Sequence, residues 1–276
     1  MTELLRANGS RMGKNRVLWI SLLAAVAMEL FIVLNGCRQA AMDTNGYEWS
    51  LDQFYFDAGP VLGLFFALVL GMFLGTEYSD GTLRNKLVVG HTRREVYLAH
   101  LVTGMGVAAL FTAAVFLAGM VGIPGLGVWK MGPGGVVLSF LVSLGFNMAL
   151  TALFALVGML SEKKATTAVT VILLFLAMAA FSSWLNARLG EPELDSGIII
   201  TAQGMQWSDP TPNPRYIGGA MRTFCQFLME TMPTGQAILL ANQELPRPLL
   251  SLGASVVLTV GITLVGLGLF EKKDLK

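Results

Sequence analysis

Charge is what this 276-residue chain has least of: Asp, Glu, Lys and Arg make up 13%, against 54% hydrophobic residues. Soluble domains carry about 25% charged residues, so an ordinary water-soluble globule is excluded. The remaining charges nearly cancel, at a net +1, which argues against a nucleic-acid partner. Histidine and cysteine are also scarce, with two of each. No Cys/His spacing resembles a metal site, and neither His91 nor His100 has a paired acid within an apolar stretch. That leaves no constellation for an intramembrane enzyme. The run Gly9-Ser10-Arg11-Met12-Gly13-Lys14-Asn15 has three residues between its glycines, where a phosphate-binding loop has four, and Asn15 stands where Ser or Thr is required. No strand precedes it. The chain binds no nucleotide or other cofactor by itself, and any ATP is handled by another subunit.

Long apolar runs fill the sequence instead. A membrane span needs about 20 mainly apolar residues, and six stretches qualify, near 17–36, 58–76, 98–122, 136–160, 166–187 and 248–270. Little is left for a soluble domain. The expected fold class is therefore all-α: a polytopic membrane protein with a six-transmembrane-helix bundle, forming one transmembrane domain over 1–276. Lys and Arg set its orientation. One set of connecting segments holds Arg6, Arg11, Lys14 and Arg16, then Arg84, Lys86, Arg93 and Arg94, then Lys163 and Lys164, then Lys272, Lys273 and Lys276. The opposite set holds Arg38, Lys130 and the dispersed Arg188, Arg215, Arg222 and Arg247. This bias predicts a plasma-membrane protein with both termini cytoplasmic. Residues 1–16 then form an amphipathic segment on the inner surface, and 188–247 lie outside. Ala25-Val26-Ala27 within the first run mimics a cleavable signal, but the run stays apolar to Leu34 apart from Glu29, which favours a retained anchor.

The densest polar cluster between two apolar runs is Glu77-Tyr78-Ser79-Asp80-Gly81-Thr82-Leu83-Arg84-Asn85-Lys86-Leu87. Thr82 to Val89 fits a short helix with Leu83, Leu87 and Val88 on one side and Arg84, Asn85 and Lys86 facing away. Gly90 suits the left-handed residue that closes a helix, and Thr92-Arg93-Arg94-Glu95 has capping-box spacing for the next one. A short amphipathic helix at the mouth of two spans is a shape suited to docking; the bland alternative is a loop anchored by basic residues.

Glu77-x-x-x-Gly81-Thr82-Leu83-Arg84-Asn85-Lys86-Leu87, followed by Gly90, Arg93 and Tyr97, resembles the cytoplasmic loop after the second span of type 2 ATP-binding-cassette exporter permeases. Leu4-Leu5-Arg6-Ala7-Asn8 with Trp19-Ile20 is similar to how small bacterial members begin, and Met232-Pro233-Thr234-Gly235-Gln236 to their outer-face segment before the last span. The resemblance implies that Glu77, Gly81, Thr82, Leu83, Arg84, Asn85, Lys86 and Leu87 form a coupling helix held by a separate ATPase subunit, with ATP and Mg on that partner. It further implies a second permease copy, a homodimer being the expected form, and export of amphipathic peptides or other hydrophobic, antibiotic-like substrates. The small size resembles the peptide and antibiotic-export branch. Two other classes stay open: an ion-coupled secondary transporter, for which Glu29 lacks a counterpart in the second half, and a non-transporting immunity or sensor component.

Within the spans, Glu29 either lines a substrate pathway or is a packing residue, since a carboxyl in lipid must face protein or water. Asn147 is a weaker pathway candidate of the same kind, or an interhelical hydrogen bond. Gly59, Gly63, Ala67, Gly71 and Gly75 recur every fourth residue. They form a small-residue ridge for close helix packing, with a neighbouring span as the simplest partner and a second copy as the other. The loop containing Asp43, Glu48, Asp52 and Asp57 is an acidic rim or simply a solvated loop. Cys37 and Cys225 both fall outside, paired or as two free thiols. In the long external segment, Met221, Phe224, Cys225, Phe227, Leu228 and Met232 follow helical spacing, predicting an interfacial or re-entrant helix stopped at Pro233.

Overall fold

The computed structural model describes residues 1–127, 129–196, 198–201, 204–207 and 209–273. Six helices among them are long and apolar enough to cross a membrane. A short helix α1 (Thr2–Gly13) precedes α2 (Arg16–Met42), α3 (Gly59–Ser79), α4 (Thr82–Val88), α5 (Arg93–Gly119), α6 (Ile123–Leu126), α7 (Gly132–Leu160) and α8 (Lys164–Gly190). Then come α9 (Gly219–Thr231), α10 (Pro233–Ala241) and α11 (Pro248–Lys272). The six long helices are α2, α3, α5 extended through α6, α7, α8 and α11. Several extend beyond the apolar runs by a turn or more, because polar end residues continue a helix once its caps are supplied.

Those caps follow from the sequence. Asn15 Oδ1 accepts from the Val17 N–H at 2.9 Å to start α2. Thr92 and Glu95 make the reciprocal box that starts α5, at 3.2 and 3.0 Å. Pro60, Pro133, Pro233 and Pro248 each sit in the first turn of α3, α7, α10 and α11, where a missing N–H costs nothing. Pro233 therefore opens a second helix in the segment between α8 and α11, and the chain breaks at the extended Met232. The single helix expected there is two, and the segment before it carries two antiparallel ladders: β1 (Leu194–Asp195) with β4 (Thr211–Pro212), and β2 (Ile198–Thr201) with β3 (Gly204–Trp207). No strand was expected; the β-branched run Ile198-Ile199-Ile200-Thr201 is the signal that marks it.

The helices pack through small residues and aromatic edges, as they must where lipid offers no hydrophobic drive for association. The Gly63–Gly75 face of α3 lies on α8. A methyl at Gly71 would stand 3.0 Å from Ala168 Cα, and one at Gly75 2.7 Å from Lys164 Cα. Phe175 of α8 fills the space over Gly63. Ala67 is fully buried, whereas Gly59 has nothing closer than 3.9 Å. The ridge is thus an intrachain contact over most of its length. Phe66 meets Phe111 edge to face with centroids 5.4 Å apart, and Phe154 meets Phe175 at 6.5 Å. α11 packs on α7, with Leu252 and Ser255 close over Gly145, while Val256, Val257, Val260 and Leu264 stay exposed, as a lipid-facing side requires.

α10 is wedged among the spans. Buried Gln236 donates to the Ser251 carbonyl at 3.1 Å and accepts from Ser255 Oγ at 2.9 Å, and the Thr234 and Ser182 hydroxyls are 2.7 Å apart. These bonds tie α10 to α8 and α11. α9 buries Cys225 and Met229 but exposes Met221, Phe224 and Phe227. Cys37 and Cys225 are free thiols in separate clusters; Cys37 Sγ rests 3.7 Å from the Gly122 carbonyl.

Candidate functional site

The end of α3, all of α4 and the start of α5 form one continuous device. α3 stops at Asp80, and Gly81 takes the left-handed backbone (φ 65°) that turns the chain into α4. At the other end Gly90 (φ 104°) donates to the Leu87 carbonyl and His91 N–H donates to the Lys86 carbonyl, at 3.0 and 3.2 Å. This pair of bonds is a Schellman closure, so the fold needs glycine at both joints.

Glu77 is the centre. Its carboxylate is fully buried and takes Lys86 Nζ at 2.7 Å, Thr82 Oγ1 at 2.9 Å and the Arg11 guanidinium. His100 Nε2 lies 3.3 Å from the same Oε2 and 3.3 Å from Lys86 Nζ. His100 Nδ1 sits 2.7 Å from the Val96 carbonyl, so that nitrogen carries a proton. In the neutral ring Nε2 then accepts from Lys86; in the protonated ring it donates to Glu77. Lys86 also donates to Asn8 Oδ1 at 2.8 Å. Burial pulls the Lys86 pKa below its ordinary value, while the Glu77 carboxylate works the other way. Four elements (α1, the end of α3, α4 and α5) thus meet on one carboxylate.

This geometry corrects two expectations about α4. Lys86 does not face away with Arg84 and Asn85; it turns inward to Glu77. Val88 does not pack with Leu83; Val88 is 78% exposed and Val89 80%, while Leu83 is buried. Buried charge displaces the apolar side because a paired lysine near a buried carboxylate outweighs one valine on so short a helix. The free face of α4 is Arg84, Asn85, Val88 and Val89. His100, which has no paired acid within an apolar run, meets Glu77 just beyond the second run. Asn8, Arg11 and His100 were not singled out as site residues. Only Asn8 carries a local signal: Leu4, Asn8 and Met12 share one helical face, and all three are buried.

The same end of the bundle is tied together elsewhere. Arg93 caps α11 through the Phe270 and Glu271 carbonyls at 3.1 and 3.0 Å. Lys273 Nζ donates to the Leu160 carbonyl at 2.8 Å, and Tyr78 O–H to the Met159 carbonyl at 3.1 Å, both at the end of α7. Tyr97 packs on Phe270, its hydroxyl against Gly266.

The pathway candidates lie in the bundle interior. Glu29 is fully buried between α2 and α5, where Oε1 sits against Gly119, and neither oxygen has a hydrogen-bond partner among the described residues. Asn147 is also fully buried and donates to Thr112 Oγ1 at 3.0 Å, joining α7 to α5. The acidic loop is largely occupied. Asp43 accepts from Asn45, Tyr47 and Trp49 at 2.8 to 3.0 Å, Glu48 pairs with Lys130 at 3.0 Å, and Asp52 takes the Lys130 N–H at 2.5 Å.

Among known proteins, the family model described as ABC-2 family transporter protein matches residues 11–181. That span contains Arg11, Glu77, α4 and His100 and ends within α8. A search of curated proteins finds no match.

Proposed function

Because the chain belongs to the ABC-2 transporter family, and is thus a transmembrane permease of an ABC transporter, we propose that α4 is the helix a separate ATPase subunit grips. The observation that carries this reading is the division of α4 into two faces. One is bolted to the bundle through Glu77, and the other presents Arg84, Asn85 and two exposed valines. An exposed apolar tip on a helix held this firmly has the form of a docking surface. ATP and Mg belong to the partner, whose closure on nucleotide pushes α4 toward the spans. Two permease copies and two ATPase subunits complete the assembly.

In this reading the Glu77 end faces the cytoplasm, both termini lie inside, and α9 and α10 cap the outer end. Transport runs outward, and the substrate is an amphipathic peptide or another hydrophobic, antibiotic-like molecule. Glu29 and Asn147 reach substrate only in a conformation that parts α2 from α5 or α5 from α7.

The test is co-purification of the tagged chain with a nucleotide-binding subunit. Val88→Asp with Val89→Asp changes only exposed side chains, so the chain stays folded but should lose the subunit and its stimulated ATP hydrolysis. A complex that survives both substitutions sinks the docking assignment. Transport that persists without ATP and collapses with an ion gradient would instead make the chain a secondary transporter.

A further inference from the structure

A cavity of about 630 Å³ opens between the end of α8, α9, and the loop joining α10 to α11. It is within the usual range for small-ligand sites, about 300–1,000 Å³. Its depth is fixed by the spans. α8 starts beside Gly75 near α4 and finishes at Gly190, and α11 starts at Pro248. The cavity therefore sits where two crossings end, at the face opposite α4, which is the depth of lipid headgroups.

Its walls carry opposite charges in an unusual state. Arg247 and Glu230 cancel one another in a two-pronged pair at 2.8 and 2.9 Å. Arg222 is different: it donates to the Leu189 and Ile217 carbonyls at 2.8 and 3.4 Å and lies over Tyr216, with no carboxylate within ion-pair distance among the described residues. Glu244 likewise has no cation partner among them. One cation and one anion thus remain uncompensated in the same cavity, beside the apolar walls Leu189, Met229 and Leu239. The two helices that wall it also carry exposed apolar side chains, Trp184 on α8 and Phe224 on α9. Arg188 lies over the Trp184 ring at 5.8 Å, the aromatic-and-basic pairing found at membrane interfaces.

We propose that this cavity holds the headgroup of a zwitterionic phospholipid, with its phosphate at Arg222, its ammonium at Glu244, and the glycerol end of its chains along Met229 and Leu239. An anionic lipid satisfies Arg222 but is repelled by Glu244. A cationic amphiphile meets the reverse conflict. Only a ligand carrying both signs, with an apolar tail leaving at membrane depth, uses every wall.

The full chain, purified and placed in nanodiscs of equal phosphatidylethanolamine and phosphatidylglycerol, is examined by native mass spectrometry for retained lipid. Phosphatidylethanolamine should be retained preferentially. Arg222→Gln should lower its retention about tenfold, the loss of one charge-assisted contact. Arg222→Lys should recover part of it, which separates loss of the cation from misfolding. Glu244→Gln should remove the preference and let phosphatidylglycerol bind as well. Equal retention of the two lipids by the unaltered chain, or full retention by Arg222→Gln, overturns the proposal. Displacement by soluble glycerophosphoethanolamine as effective as by lipid would assign the site to a free phosphodiester, and displacement by an amphipathic peptide alone would assign it to cargo; either refutes the lipid.

Discussion

Replacing Glu77 by Gln removes the one anion from a buried group that also holds Arg11 and Lys86. The amide keeps the size of the side chain and one acceptor oxygen, so the change isolates charge. Deleting one partner of a buried pair costs about 3–5 kcal/mol, because the remaining charge stays out of water. Two responses soften this. Lys86, its pKa already pulled down by burial, can release its proton, and Arg11, about a third exposed, can swing outward. The lower end, about 3 kcal/mol, is therefore expected. A helix as short as α4 has no stability of its own, so the cost falls on its docking to the bundle. That is a rise of about a hundredfold in the detached population. Amide exchange over 82–90, measured on the chain in nanodiscs, should accelerate by that factor while amides in α7 hold their rates. Partner-stimulated ATP hydrolysis should fall in parallel. Adding Lys86→Met should recover part of the loss, since it removes the stranded cation. A change below about threefold across 82–90 would mean that the carboxylate does not hold α4, and the reasoning fails.

Three further outcomes follow from the same packing. Gly75→Ala places a methyl 2.7 Å from the Lys164 backbone and should lower stability by about 1–3 kcal/mol in thermal unfolding, whereas Gly59→Ala, with nothing nearer than 3.9 Å, should change nothing. Arg93→Ala strips the cap from the α11 terminus and should cost about 1–3 kcal/mol, read as faster exchange over 269–273. Asp57 lies just before α3, and burial raises its pKa from 3.8 to about 6. The folded state thus favours the protonated carboxyl. The penalty is absent below about pH 4, grows as pH rises through that interval, and is full above about pH 6. Asp57→Asn should therefore raise the unfolding temperature at about pH 8 and leave it unchanged at about pH 4.

What the sequence disclosed and what it hid divide along a physical line. Features set by near neighbours were legible: six apolar runs, the glycine closure at Gly90, the Thr92–Glu95 box, and the spacing of small residues on α3. Features set by distant partners were not. Lys86 looked like a solvated charge because its partner Glu77 is buried only once α1 and α5 close over it. Val88 looked inward-facing because apolar side chains are the default core, yet on a seven-residue helix one ion pair fixes the rotation. Asn8, Arg11 and His100 lie on elements that meet Glu77 only in three dimensions. Pro233 reads equally as a stop and as a first-turn residue, and only the packing of α10 against α8 and α11 decides between them.

The small-residue ridge and the carboxylate cluster then act together. A helix that transmits force must neither bend nor slide against its support. α3 meets this through backbone-to-backbone contact with α8 at Gly71 and Gly75, and through Tyr78 holding the end of α7. In the proposed docking, a push on α4 would enter α3 at Glu77, between the Gly75 and Tyr78 contacts, so α3 and α8 would have to move as one body. The flexible joints are Gly81 and Gly90, one at each end of α4. Glycine at each joint leaves the backbone conformationally free there. Stiffening Gly81 should therefore uncouple ATP hydrolysis from transport without releasing the partner, whereas loosening Gly75 should weaken both the fold and the coupling.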